Sequence, residues 1–199
     1  MLKIAVFLDY SNVHLLGHDL YSPNLNRWTT HIDPRLIADR IVELTAIGSE
    51  LERVHLFRGS PDFQRDPEAA KLFREEQLRW GKDPKVAARY EPMLYGCGRD
   101  VPKESGVDMR LGLDLVDAAR SHAFDKIVLF SGDSDLVPAV EEVMKTTTPL
   151  ELAAWSDGNE MPGNVLTEIC RRKRFRLWTH RLNDEDFWAC QDRPLRTAA

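Results

Sequence analysis

The chain has 199 residues, 43% hydrophobic and 30% charged, enough for one α/β domain burying about 70% of its unfolded surface. Its formal net charge is -5, from 27 Lys and Arg against 32 Asp and Glu, which excludes a uniformly basic nucleic-acid coat and leaves local clusters to decide any partner. Cys97, Cys170 and Cys190 are odd in number and far apart, which excludes a disulfide framework or Cys-x-x-Cys zinc site and fits a reducing compartment.

Leu2 to Leu8 is almost wholly apolar and predicts a strand buried on both faces, ended by Asp9. Gly17, Pro23, Asn24 and Asn26 then read as a polar loop, which holds His14 and His18 and argues against a helical histidine metal pair there; His31 lies beyond. Asp33-Pro34 predicts an N-cap and a first helical position, opening a helix to about Ile47 with Leu36, Ile37, Ile41, Leu44 and Ile47 as its apolar stripe. Val54 to Phe57 is a second strand, ended by Arg58-Gly59-Ser60-Pro61. Pro67 opens a helix to about Trp80 through Ala70, Phe73 and Gln77, and Val86 to Leu94 is a strand that Pro92 assigns to an edge. Val107 to Ala119 predicts a helix beginning around Asp108, Ile127 to Phe130 a buried strand, and Leu136 to Met144 a helix with Pro138 tolerated in its first turn. Leu150 to Trp155, Pro162 to Cys170 and Phe175 to Trp178 complete the series as strand, helix and strand.

This alternation predicts an α/β fold with a mainly parallel central sheet of five or six strands, covered on both faces. One domain is expected over residues 1–180, with a C-terminal tail at 181–199 that packs on the domain or is partly disordered, its Phe187 and Trp188 capping the core or meeting a partner subunit. No apolar run approaches the roughly 18 residues that span a bilayer, and Asp9 comes too early for a signal peptide. A soluble cytoplasmic protein is therefore expected.

Three acidic signatures stand out: Asp9-Tyr10-Ser11-Asn12, Gly106-Val107-Asp108 and Ser131-Gly132-Asp133-Ser134-Asp135. In an open parallel sheet, strand ends of this kind converge on one crevice. Two ionised carboxylates about 4 Å apart repel by roughly 4 kcal/mol at an effective dielectric near 20, so a divalent cation is their natural complement. Oxygen-only ligands select Mg2+ or Mn2+ over zinc. Each signature also has a purely structural reading: Asp9 in an aspartate turn, Ser134 or Asp135 as an N-cap, Asp108 as a helix-dipole partner. Asp108 shares the line of Leu111 and Leu115 and is expected to face inward, whereas Asp114, further round the helix, is a supporting group or a surface charge.

These segments resemble the NYN family of the PIN-like nuclease superfamily, in its LabA-like branch. The matching pieces are Phe7-Leu8-Asp9-Tyr10-Ser11-Asn12, Lys103-Glu104-Ser105-Gly106-Val107-Asp108 with Asp114 after it, and Ser131-Gly132-Asp133-Ser134-Asp135-Leu136-Val137-Pro138. The resemblance implies a PIN-like three-layer α/β/α domain and a metal-dependent ribonuclease hydrolysing RNA phosphodiester bonds. Asp9, Asp108, Asp133 and Asp135 would bind Mg2+ or Mn2+, Asn12 would orient Asp9 or the attacking water, and Asp114 and Ser131 would support them from behind. Tyr10 and Ser11 stand where a glycine or small residue plus a neutral residue are more usual in the family, and Ser105 where many relatives carry lysine.

Lys103 and Arg58 are expected at the substrate phosphates. Arg171, Arg172, Lys173, Arg174, Arg176 and Arg181, interleaved with Phe175 and Trp178, read either as a platform for a single strand or as a solvated helix end beside core aromatics. RNA is the expected partner, with single-stranded DNA as the alternative and no membrane; the oligomeric state stays open, a homodimer included. Two other functions compete: an RNA-binding regulator without turnover, and a phosphatase of the haloacid dehalogenase type, which would need an aspartate where Ser11 stands.

Overall fold

Apolar runs become strands and amphipathic stretches become helices in strict alternation through most of the computed structural model, which describes residues 1–96 and 102–192. Cys97 and the last seven residues of the expected tail lie outside the described residues. The elements are β1 (Leu2–Asp9), α1 (Tyr10–Tyr21), α2 (Pro34–Glu43), β2 (Ser49–Ser60), α3 (Pro67–Trp80), β3 (Val86–Pro92) and α4 (Val107–Ser121). There follow β4 (Lys126–Phe130), α5 (Val137–Val143), β5 (Leu150–Trp155), α6 (Val165–Arg172), β6 (Thr179–Leu182) and α7 (Asp184–Ala189).

All neighbouring strands pair in parallel, in the order β3-β2-β1-β4-β5-β6. The order reverses between β1 and β4, the position at which open α/β sheets form a crevice beyond their carboxyl ends. Side chains alternate across β1: Ile4, Val6 and Leu8 pack with Val13 of α1, Ile37 and Ile41 of α2 and Phe187 of α7, whereas Ala5 and Phe7 pack with Leu111 and Leu115 of α4, Val140 of α5 and Leu166 of α6. Each large side chain so buried contributes about 1.5–3 kcal/mol, and slipping β1 by one residue would exchange both sets. That locks the register on which the site depends.

The expected loop after Asp9 is helix α1. Its buried face is Tyr10, Val13, His14, Gly17 and His18, a helical spacing carried largely by residues that sequence alone marks as polar or breaking. Gly17 serves close packing: a Cβ there would lie 2.8 Å from Trp155 Nε1 and 2.9 Å from the Phe187 ring. Helix α2 ends at Glu43, four residues before the expected end at Ile47, with Ala38 and Val42 completing its buried stripe. Leu36 and Leu44 are largely exposed and Ile47 wholly so.

The sixth strand lies at Thr179–Leu182, not Phe175–Trp178. After α6 the chain wraps back, with Arg174 in the left-handed region at φ 60° and the Phe175 amide donating to Cys170 O at 2.9 Å. This wrap packs Phe175 and Leu177 against the core and delays the strand. Residues 181–192 belong to the same body: Leu182 and Phe187 are fully buried, and the Asp33 amide donates to Cys190 O at 2.8 Å. No helix among the described residues is long and apolar enough to cross a membrane.

Candidate metal centre

Strand parity builds the site. Asp9 continues the Ala5-Phe7 face of β1, and Ser131 continues the Ile127-Leu129 face of β4. Leu8 pairs with Phe130, so the next step sets Asp9 beside Ser131. Ser131 Oγ donates to Asp9 Oδ2 at 2.7 Å and accepts from the Asp133 amide at 3.0 Å. Asp9 is also the N-cap of α1, accepting from the Asn12 amide at 3.3 Å. Asn12 Oδ1 accepts from the Gly132 amide at 2.9 Å, so this side chain ties α1 to the loop after β4.

Gly132 is required by space. A Cβ would meet Gly163 O at 2.8 Å and Asn164 Cα at 3.1 Å, and its own carbonyl accepts from the Val165 and Leu166 amides, both at 3.0 Å. The loop is therefore clamped between α1 and α6, and Asp133 emerges from it as N-cap of a 3-10 turn, accepting from the Asp135 amide at 2.8 Å. Asp108 stands in the first turn of α4, behind Gly106 at φ 79°. Asp108, Asp133 and Asp135 each offer a carboxylate oxygen, and the three oxygens lie within 4.8 Å of one another. Asp9 is not one of these three; it lies deeper and is 4% exposed.

Burial pushes the Asp9 carboxyl up to about 7, with the Asp108 and Glu104 charges adding and the Ser131 and Asn12 hydrogen bonds opposing. Asp108 is also raised, by burial first and then by Asp133, Glu104 and Asp135. Glu104 is a fifth acid that the spacing argument passed over. Its Oε1 accepts from Ser11 Oγ at 2.6 Å and from the Gly59 amide at 2.5 Å, joining the end of β2 to the centre. The signal was Gly59 itself at a strand end, where a Cβ would lie 2.6 Å from Glu104 Cγ. Among the described residues, no Lys, Arg or His nitrogen lies within 4.0 Å of the carboxylates of Asp9, Glu104, Asp108, Asp133 or Asp135.

Of the other expected site residues, Asp114 lies apart in ion pairs, whereas Arg58 and Lys103 line a cleft beside the acids with Ser11 and Glu104. Asp114 pairs with Arg89 at 3.5 Å and Arg110 at 3.9 Å. Arg58 is engaged with Glu76: its Nη1 donates to Glu76 Oε2 at 2.6 Å, and its guanidinium lies over the rings of Tyr10 at 4.9 Å and Phe73 at 5.3 Å. Lys103 is exposed and lines a cleft of about 510 Å3 together with Ser11 and Glu104. Arg171, Arg181 and Trp178 line a separate groove of about 990 Å3 that none of the five acids lines, while Arg172 pairs with Glu168 and Lys173 with Glu141. The histidines pack without joining the acids: His14 Nε2 donates to Arg27 O at 2.9 Å, His18 Nδ1 bonds Thr30 Oγ1 at 2.9 Å, and His31 lies against Glu76.

Among protein families, the NYN domain matches residues 3–172, a span that contains all five acids. The chain belongs to the NYN domain family. A curated NYN-type relative is the low amplitude and bright protein LabA of Synechococcus elongatus, 24% identical over 156 residues, which cover 78% of this chain and 75% of LabA. A Vibrio parahaemolyticus protein of unknown function shares the fold with a TM-score of 0.54 at 16% identity, over 94% of this chain and 95% of that one. The six-stranded parallel sheet with helices on both faces is consistent with the PIN-like fold expected of an NYN domain.

Proposed function

We propose that this NYN-family chain is a metal-dependent ribonuclease that hydrolyses RNA phosphodiester bonds at the acidic crevice between β1 and β4. One observation carries the reading: five carboxylates gather at the switch point of a parallel sheet with no Lys, Arg or His nitrogen of the described residues within 4.0 Å, and burial already resists the charge of the innermost. An external cation would offset the mutual repulsion of such a cluster, and its donors are all carboxylate oxygens, which suit Mg2+ or Mn2+. Asp108, Asp133 and Asp135 are the residues that would hold it, with Asp9 beneath them. When bound, the ion supplies Lewis acidity that favours hydroxide at neutral pH and offsets charge on the phosphoryl oxygens.

The chain's own residues do the positioning. Ser131 and Asn12 hold Asp9 and the Asp133 loop in one arrangement, so the acids are organised before substrate arrives. Glu104, fixed by Ser11 and Gly59, extends the negative charge toward β2. Lys103 at the cleft rim is the cation placed to meet an incoming phosphate. Arg58 acts indirectly, by supporting Tyr10 at the start of α1. A phosphatase of the haloacid dehalogenase type is disfavoured, because Ser11, where its second aspartate belongs, is engaged with Glu104. Cys170 and Cys190 are free, buried thiols, which suits action in the cytoplasm.

The test is a panel of end-labelled RNAs, with a matched DNA strand, incubated with Mg2+, Mn2+ or EDTA. Cleavage that needs the metal and disappears in Asp133→Asn is expected. Binding without cleavage in every metal would replace the enzyme with a regulator.

A further inference from the structure

The cleft beside the acids has a chemistry of its own. It is lined by Trp28 and Tyr95 as well as by His14, Arg27, Lys103 and Glu104, and at about 510 Å3 it is of small-ligand size. Trp28 is 42% exposed, yet it sits on a folded turn: Asn26 Oδ1 accepts from its amide at 3.0 Å, and Arg27 O is bonded by His14 Nε2 at 2.9 Å. Other large apolar side chains are exposed too, Phe63 and Trp178 among them; what sets Trp28 apart is its fixed place on the wall of this cleft.

We propose that this cleft seats one unpaired nucleobase of an RNA single strand, stacked on Trp28 with Tyr95 as a second aromatic wall, and so sets a neighbouring phosphate at the acidic centre. The position of the phosphate rests on the ribonuclease reading; the seating of the base does not. Aromatic faces accept any base, since every base has a π-face. Each ring carries a cation: the Arg27 guanidinium lies 5.0 Å from the Trp28 ring centre, and that of Arg65 lies 5.9 Å from Tyr95. With Lys103 they bring positive charge to the two rings and to the cleft, where the backbone of a bound strand would pass. His14 adds no competing charge inside, because burial, aided by His31 and Arg58, lowers it to about 3. Its Nε2 donates to Arg27 O, which leaves Nδ1 as an acceptor for a base N–H. Ser11 and Glu104 line the cleft and contact each other at 2.6 Å, and Glu104 raises Asp9, so cleft and acids are continuous. A base in a duplex has its faces stacked and its edge paired, and it would have to leave the stack to enter.

The probe is a short, labelled oligouridylate followed by fluorescence anisotropy in Mg2+ with full-length Asp133→Asn, so that turnover does not consume it. The same strand is tested with one abasic residue at each position in turn, and annealed to its complement. Loss of one base–aromatic stack should weaken binding about tenfold, or about 1.4 kcal/mol. A single abasic position should show that loss; Trp28→Ala should show it on the intact strand and be blind to the same position, and Trp28→Phe should restore binding. Uniform response to every abasic position, unchanged affinity in Trp28→Ala, or equal affinity for the duplex would overturn the proposal. Cleavage persisting in Asp133→Asn would instead count against the ribonuclease reading and leave the binding comparison to judge the cleft.

Discussion

Asp9 and Glu76 are both buried carboxylates, 4% and 6% exposed, and they titrate in opposite directions. Burial pushes both up, but at Glu76 it is outweighed by the His31 hydrogen bond and the Arg58 charge, so that acid ends below its ordinary value. At Asp9 the neighbouring charges are Asp108 and Glu104, which add to the burial, and the carboxyl rises to about 7. Glu76 thus has its counter-charge built in, whereas Asp9 has none within 4.0 Å among the described residues. Burial is common to both, so what separates them is the charge beside each carboxylate, and that difference underlies the proposed cation site.

The acids that face the crevice should show the largest effects. Asp133→Asn and Asp108→Asn should each lower metal-dependent RNA cleavage by about a hundredfold or more, while thermal unfolding in EDTA stays at or above the parent, because each removes like-charge repulsion. Arg58→Met inverts the case of Glu76, leaving a buried carboxylate without its guanidinium. It should cost about 3–5 kcal/mol in chemical denaturation, with the metal response of the surviving folded protein intact.

Asp9 sharpens the comparison through pH. Its folded value near 7 lies above its ordinary 3.8, so its contribution to stability is complete below about pH 3.8 and is lost as pH rises through 7. Asp9→Asn should therefore unfold later than the parent in EDTA at pH 8, and this gain should vanish at pH 4. At about 1.4 kcal/mol per pH unit the gain is bounded at about 4 kcal/mol. Activity of this variant should be lost at both pH values. Smallest of all, Asp114→Asn should change stability by no more than about 0.5 kcal/mol and leave cleavage unaltered, since its partners Arg89 and Arg110 are both largely exposed.

Much of this was legible in the chain because β1, β4 and β5 are central strands buried on both faces, and such strands must be written as apolar runs. The ends of those runs then located Asp9, Asp133 and Asp135. Helix α1 was hidden because its inward face uses Tyr10, His14, Gly17 and His18, whose burial depends on partners far along the chain, such as Trp155. Glu104 was hidden for a similar reason: its anchor, the Gly59 amide, is 45 residues away and is backbone. For Arg58, strand parity fixes the side on which the side chain leaves β2. This residue follows Leu56 on the face packed with Tyr10 and Trp80, whereas Phe57 shares the Asp9 face, so Arg58 reaches Glu76 and the wall of the neighbouring cleft.

The most direct test of the missing counter-charge is thermal unfolding at pH 8 in Mn2+ against EDTA, for the parent and for Asp133→Asn. The parent should gain about 2.7 kcal/mol at a hundredfold excess over its dissociation constant, seen as a rise of several degrees, and the variant should lose most of that rise. An equal shift in both proteins, or none in the parent, would contradict a divalent cation at the acidic crevice.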